Sequence, residues 1–566
     1  MNNSAQTDLR HGVASRRVGE RPVRLVQRWA YVAWLLAIVA FAAAHFIHLS
    51  ADFPNHSPWI ADWAKYTDEG WYGNAAVRAH LFGHWRIPGD FNPATALPVW
   101  PFFEWLLFFA TGVSLSAARA LAVSFFCIDL ALGYLLVRAH APRWAALLAV
   151  TLAVTSPFLY AFSRLAILEP ALVAFTLMAL NLAVRLPRLR RPVLAAALIG
   201  LLFGIAVLTK TSAVFLLPAI AWAVVAPLRK DRQLAIRCAV ATGGTAALTL
   251  GLWMAVISNA DLLPDFECLF QINSYPKPAE WYWPFLSFYA SLRGALCAHH
   301  VLIPTAAGVA LAGLIFYRAR WSRTLRSDPV YGASLLGMIG YLLFMTYQNN
   351  PQPRYYTVVA IFACLILGLG THALLSAAME TVPTLPMRIA RIGGLGLPAL
   401  WRVFSALVLL VAAVAIVVSN AVWMLAYITH PEYTYVNAAR DLDRYIREHP
   451  NGNRILLASS GDQITLMTHL PSLCDEFGTE DLPEKIARYR PGWWATWNDI
   501  DPAILAGIHV HDSVEQVASF RALDHPERKV LVLFKLHPLP HGTSRNPKKQ
   551  DLQVPLSEDR IEIPVQ

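Results

Sequence analysis

Charge is what this chain has least of. Asp, Glu, Lys and Arg make up 15% of its 566 residues, where an ordinary soluble domain has about 25%. Hydrophobic residues make up 56%, and the mean hydropathy is +0.42. A soluble globular enzyme is excluded. Cysteine is also sparse: six residues, at 127, 238, 268, 297, 364 and 474, form no CxxC pair and no zinc-like spacing, so they carry no evident chemistry. Neither GxxxxGK[ST] nor a strand-linked GxGxxG occurs, which argues against an ATP-driven transporter. The excess of 47 Lys+Arg over 37 Asp+Glu flanks apolar runs instead of forming a patch, so no nucleic-acid partner is expected.

Long apolar runs are what the chain does have. A bilayer-crossing helix needs about 20 apolar residues. Eleven runs qualify, near 29–49, 116–137, 144–161, 165–184, 193–208, 213–228, 238–257, 300–317, 330–346, 355–377 and 402–427. The basic stretch 1–28 precedes the first, which is too long for a secretory signal and lacks its cleavage site. It reads as a retained helix with a cytoplasmic N-terminus. With the loops alternating sides from there, basic residues gather on the cytoplasmic side, at Arg185–Arg191, Arg229–Arg237 and Arg318–Arg326 among others, as the positive-inside rule requires. The expected fold is an α-helical polytopic membrane protein whose membrane domain spans 29–430. A soluble α/β domain follows at 431–545 on the outer face, periplasmic in a bacterial inner membrane, with a loose tail at 546–566. Strands are expected at Arg454–Ser459, Gly492–Trp497 and Lys529–Phe534, and helices at Tyr435–His449 and Leu482–Arg490.

Polar groups at membrane depth are costly, so those that gather at the outer ends of the spans are functional candidates. The first outer loop, 50–115, is far longer than usual and carries Asp68, Glu69, Trp71 and Tyr72. Thr67 capping a helix with two acids in its first turn is one reading. A general base facing a cavity is the other. Glu169 stands in an apolar run before Pro170, either as a helix cap ion-paired to Arg164 or as a functional acid. Lys210 breaks the apolar stretch 193–228 and Arg354 heads a span beside Tyr355. Each is an anchor at the interface or a ligand for a lipid phosphate. Trp281, Tyr282, Trp283 and His299 suit sugar stacking or interface anchoring equally. Asp462, Asp475, Glu476 and the Trp493-Trp494 pair read as surface and core residues of the tail domain.

Taken in order, Asp68-Glu69 with its aromatic pair, Ser163-Arg164 with Glu169, Thr209-Lys210 and Arg354-Tyr355 resemble the GT-C class of integral-membrane glycosyltransferases. Within it, the protein O-mannosyltransferases and the aminoarabinose transferases that modify lipid A are the most similar groups. The resemblance covers residues 29 to about 430. It implies an inverting transferase that moves a sugar from a polyprenyl-phosphate donor to a hydroxyl of a lipid, glycan or protein. Asp68 would be the general base, supported by Glu69. Glu169 would stand where an Asp is common, and Lys210, Arg354 and Arg164 would hold the carrier phosphate. Trp71, Tyr72, Tyr355 and His299 would contact sugar or acceptor. Some members hold a divalent metal, Mg or Mn, at carboxylates equivalent to Asp68 and Glu169, so a metal cofactor stays open. A lipid-linked glycan flippase, and a pyrophosphate-donor ligase or oligosaccharyltransferase, are the competing readings.

Overall fold

The computed structural model describes residues 27–59, 62–274, 277–298, 301–379, 397–523, 525 and 528–540. His299, Arg388, Arg391 and the tail 546–566 lie outside the described residues.

Among these residues, eight helices are long and apolar enough to cross a bilayer, and two bent pairs raise the number to ten. The full-length spans are α1 (Gln27–Ala44), α4 (Leu115–Arg138), α8 (Pro192–Thr209), α9 (Leu217–Val225 with its flanking 3-10 turns), α10 (Arg232–Asn259), α15 (Pro329–Gln348), α16 (Tyr356–Met379) and α17 (Leu397–Thr429). The span expected at 144–161 is broken into α5 (Arg143–Val154) and α6 (Pro157–Ser163), which meet at a 65° bend. Ser156 accepts a hydrogen bond from the Leu159 amide and Pro157 follows at the first helical position, so the sequence itself starts a new helix there. The run at 300–317 becomes α13 (Leu302–Ile315), joined to α14 (Arg320–Ser327) at 112°.

The run expected at 165–184 is shorter in the structure. Its helix α7 is Glu169–Ala183, 15 residues and so about 22 Å long, below the roughly 30 Å of a bilayer core. Residues 165–168 form a turn instead, and the Ala166 amide donates to Glu69 Oε1 at 2.9 Å. α7 is buried among α4, α8, α9 and α16, which sets Glu169, at its head, inside the protein.

Two helices belong to the long loop 50–115: α2 (Asp68–Phe82) and the apolar α3 (Val99–Thr111). α11 (Leu263–Ile272) and α12 (Trp283–Ala298) lie between α10 and α13.

The C-terminal domain contains α18 (Thr434–Glu448), α19 (Gly461–Thr468), α20 (Leu482–Tyr489) and α21 (Pro502–Ile508) around a five-stranded sheet. Its strands are β1 (Leu456–Leu457), β2 (Ser472–Leu473), β3 (Trp493–Trp497), β4 (Asp512–Arg521) and β5 (Val530–Pro538), in the order β2-β1-β3-β5-β4. β1 runs parallel to β2 and β3, while β5 is antiparallel to β3 and β4. Alternate residues of a strand face opposite sides. Trp493 accordingly packs under α18 and α19, and its neighbour Trp494 under α20 and α21. β2 and β4 are additions to the three expected strands.

The C-terminal domain is docked on the loop 50–115. Asp52 accepts from the Tyr435 and Val436 amides at 2.8 and 3.2 Å, so a residue of that loop caps α18. α19 crosses α2 at Gly70, where a Cβ would lie 2.1 Å from the Gln463 nitrogen. Only glycine allows that approach. Arg78 of α2 pairs with Asp90 at 2.7 Å and Asp462 at 2.9 Å, and Asn74 donates to Asp462 at 3.0 Å. Asp462 is therefore a buried anchor between α2 and α19.

Candidate active site

Four elements deliver the charged residues. Asp68 opens α2, Glu169 opens α7, and Arg354 lies in a 3-10 turn (Pro353–Tyr355) at the head of α16. Lys210 has extended backbone at the break after α8, before the 3-10 turn Thr211–Leu216. The apolar stretch 193–228 is interrupted here, and the interruption turns the lysine side chain inward. All four residues are buried.

Lys210 Nζ is ion-paired with Glu169 Oε1 and lies 4.4 Å from the centre of the Tyr355 ring. Arg354 Nε is 2.9 Å from Asp68 Oδ2, and its Nη1 donates to Asp62 Oδ1 at 2.8 Å. The Arg354 guanidinium lies over the Tyr355 ring at 4.8 Å. Burial pushes the Asp68 carboxyl above its ordinary range, and the Arg354 guanidinium opposes that rise. Asp68 Oδ1 accepts from the Thr67 hydroxyl at 3.2 Å, while Oδ2 has no aligned hydrogen bond. The Thr67 side chain does not cap α2. The Gly70 amide in that first turn instead donates to Gln463 Oε1 of the C-terminal domain at 2.7 Å.

This cluster closes the polar end of a cavity of about 660 Å³. Tyr72, Lys210 and Tyr355 form its wall there, with Lys277 and Tyr347 elsewhere on the lining; Asp68, Glu169 and Arg354 stand in the layer behind. A second cavity of about 960 Å³, almost wholly apolar, lies between α2, α3 and α10. Leu208 and Trp253 line both.

Other expected site residues go elsewhere. Glu69 forms a two-bond fork with Arg119, Nε to Oε1 at 2.6 Å and Nη2 to Oε2 at 2.7 Å, and also accepts from Gln463 Nε2 at 2.9 Å. Its lone pairs are spent on holding α2 against α4, the turn before α7 and α19, so it has no oxygen left for a substrate. Arg164 does not join Lys210 and Arg354. Its guanidinium donates to the Ile47 and His48 carbonyls and the Tyr160 hydroxyl, at 2.6, 2.5 and 2.5 Å, so the expected Arg164–Glu169 pair is replaced by Lys210–Glu169. Trp71 donates to the Ser459 carbonyl at 3.0 Å and packs on Phe91 and Phe477, at the seam with the C-terminal domain. The donor set does not fit a divalent metal. Glu169 is taken by Lys210, Asp68 lies beside Arg354, and among the described residues no three His, Cys, Asp or Glu side chains converge.

Asp62 and Arg119 escaped the sequence reading. Arg119 had a signal, because an arginine one turn inside a predicted span requires a buried partner. Asp62 had none beyond its place between Trp59 and Trp63.

Comparison with known proteins gives this geometry a context. Residues 93–255 match the family model of the dolichyl-phosphate-mannose-protein mannosyltransferases, a stretch that contains Glu169 and Lys210. The crystal structure of ArnT from Cupriavidus metallidurans bound to undecaprenyl phosphate superposes with a TM-score of 0.54 at 14% identity, covering 88% of this chain and 98% of that one. The chain has the GT-C glycosyltransferase fold. The archaeal oligosaccharyltransferase AglB from Archaeoglobus fulgidus, in complex with an inhibitory peptide and a dolichol-phosphate, shares the GT-C fold with a TM-score of 0.51 at 15% identity, covering 91% of this chain and 76% of that one. ArnT in the apo state gives 0.52 at 15% identity, covering 89% and 98%. No curated protein sequence matches the chain.

Proposed function

We propose that this protein is an inverting glycosyltransferase, moving a sugar from a polyprenyl-phosphate donor to a hydroxyl of a lipid, glycan or protein on the outer face of a bacterial inner membrane. The observation that carries the reading is the buried Asp68 carboxylate, whose Oδ2 has no aligned hydrogen bond, beside two cations behind the polar end of a cavity that abuts an apolar one. The family match and the carriers bound in the two fold relatives support the same donor class.

The chemistry follows from the arrangement. Asp68 Oδ2 takes the proton of the acceptor hydroxyl. The acceptor oxygen attacks the anomeric carbon from the side opposite the phosphate, and the bond from that carbon to the phosphate oxygen breaks. Its electron pair leaves with the carrier phosphate, and Lys210 and Arg354 stabilise the charge. Because Asp68 and Arg354 stand behind Tyr72 and Tyr355, those two rings must turn aside as the sugar and acceptor enter. A phosphate on the anomeric carbon is already a good leaving group, so one base and two cations suffice.

The second reading is a ligase or oligosaccharyltransferase with a pyrophosphate-linked donor; the likeness to AglB supports its oligosaccharyltransferase part, while the carrier in that complex is a dolichol-phosphate. One experiment separates the two. Purified protein is supplied with radiolabelled polyprenyl-phosphate and polyprenyl-pyrophosphate sugars and a membrane extract as acceptor, and the released carrier is identified. Release of the monophosphate carrier with label transfer supports the proposal. Release of the pyrophosphate carrier alone favours the ligase reading, and no turnover of either removes the transferase reading.

A further inference from the structure

Asp68 and Glu69 are neighbours in sequence, each is buried, and each faces an arginine. The two pairs are nevertheless built differently. Arg119 closes on Glu69 with both bonds of the fork that guanidinium and carboxylate normally make. Arg354 does not close on Asp68. Its Nε comes to 2.9 Å of Asp68 Oδ2, yet neither atom has an aligned hydrogen bond.

The difference is Asp62. This residue, 1% exposed, takes no part in the transfer as written above, but it holds Arg354 from two directions. Its Oδ1 accepts from Arg354 Nη1 at 2.8 Å and its Oδ2 from the Arg354 amide at 2.7 Å. Asp62 is itself fixed, since Oδ1 also accepts from the Ala64 amide at 2.8 Å, capping the 3-10 turn Trp63–Lys65. Nη2 reaches toward the Tyr355 hydroxyl at 3.4 Å. With Nη1 and Nη2 both engaged, the guanidinium can offer Asp68 only a misaligned Nε.

We propose that Asp62 is a positioning residue: it holds the Arg354 guanidinium off the axis of Asp68, and so keeps Asp68 Oδ2 open to take the acceptor's proton. The inference rests on the transferase reading, because only a general base needs that lone pair free. It also gives a role to an acid that would otherwise be an unexplained second carboxylate on one arginine. The charged and titratable groups around Asp68 are Arg354, Asp62, Lys210, Glu169 and the tyrosines 66, 72 and 355, and of these Asp62 is the acid that contacts Arg354 directly.

The test compares wild type with Asp62→Asn, which keeps the side-chain shape and removes the charge. Arg354 is then released to fork onto Asp68, and the base is weakened. The expected kcat falls by about tenfold or more, part of the roughly 10²–10⁴-fold that a general base contributes. The acid limb of kcat/KM moves to lower pH by about one unit, the direction an arginine pair imposes on a carboxylate. A kcat and acid limb like those of wild type would overturn the proposal, and so would a kcat loss with the limb unmoved. Infrared pH titration, with the Asp68 band assigned from Asp68→Asn, reads the same geometry without turnover. In wild type, Asp68 held clear of the fork titrates above the ordinary carboxylate range, and in Asp62→Asn it titrates lower. A wild-type Asp68 that titrates below that range would refute the proposal even if the variant does not fold. If wild type transfers no sugar, the transferase reading fails, and the infrared titration alone decides whether Asp62 holds Arg354 off Asp68.

Discussion

Gly70→Ala is the smallest change that should separate the C-terminal domain from α2. The new Cβ would lie 2.1 Å from the Gln463 nitrogen, 2.3 Å from the Asp462 carbonyl carbon and 2.5 Å from the Gln463 Cα. All three are backbone atoms, so no side-chain rotation relieves the clash and α19 has to move. Overpacking of this kind costs about 1–3 kcal/mol. Shifting α19 also stretches the Gly70–Gln463, Glu69–Gln463 and Asn74–Asp462 hydrogen bonds, and each buried partner left unmet adds about 1–3 kcal/mol. The helix propensity gained by replacing Gly returns at most about 1 kcal/mol, so a net loss of roughly 3 kcal/mol or more is expected. Thermal unfolding in detergent measures it, with Gly243→Ala on α10 as the control, since nothing lies within 4 Å of a Cβ there. The control should melt at or slightly above wild type. If Gly70→Ala melts with the control, the close crossing of α2 and α19 is not what holds the domain, and the reasoning fails.

Glu69→Gln leaves Arg119 buried without its carboxylate and should cost about 3–5 kcal/mol, read as a lowered melting temperature with polyprenyl-phosphate affinity retained in the folded fraction; loss of affinity with unchanged melting would make Glu69 a donor ligand instead. On the proposed mechanism Lys210→Met removes a charged contact of roughly 1.5–3 kcal/mol to the carrier phosphate, so affinity measured by binding of polyprenyl phosphate should fall about tenfold or more; an unchanged affinity would remove Lys210 from the phosphate site. In the C-terminal domain, burial together with the neighbouring Glu476 pushes Asp475 up to about 7. The folded state therefore keeps a proton that the unfolded state has lost, and stability declines as pH rises from about 4 to about 7, by up to about 4 kcal/mol. Asp475→Asn should flatten that slope in melting temperatures taken across this range; a slope equal to wild type would show that Asp475 is ionised throughout.

The membrane domain was legible because a run of about 20 apolar residues has few alternatives to a span. The exceptions have local causes. Ser156-Pro157 restarts a helix in mid-run, and the turn at 165–168 is bound to Glu69, 97 residues away from Ala166, which no periodicity reveals. In the C-terminal domain, β1, β3 and β5 carry strongly apolar residues and were found. β2 has two residues, and β4, at the edge of the sheet, reads DSVEQVASFR with much of it exposed, so neither leaves a period-2 apolar signal. At the site, Glu169, Lys210 and Arg354 stood out as charges within or beside apolar runs, and Asp68 as an acid in an unusually long loop. The pairing among them did not, because Asp62–Arg354 and Lys210–Glu169 join positions 292 and 41 residues apart. The resemblance already divides Asp68 from Glu69 as base and support, but the same distance hid the partners that set them apart. Adjacent acids look equivalent in a sequence, and only the arginines opposite them distinguish an open carboxylate from a tied one.

The most direct test of the central claim is sugar transfer from radiolabelled polyprenyl-phosphate sugar, with a membrane extract as acceptor, by purified wild type and Asp68→Asn. The account predicts label transfer with equimolar release of polyprenyl phosphate in wild type. In the variant, transfer should fall by about 10²-fold or more while donor binding persists. Transfer by Asp68→Asn at the wild-type rate would contradict it.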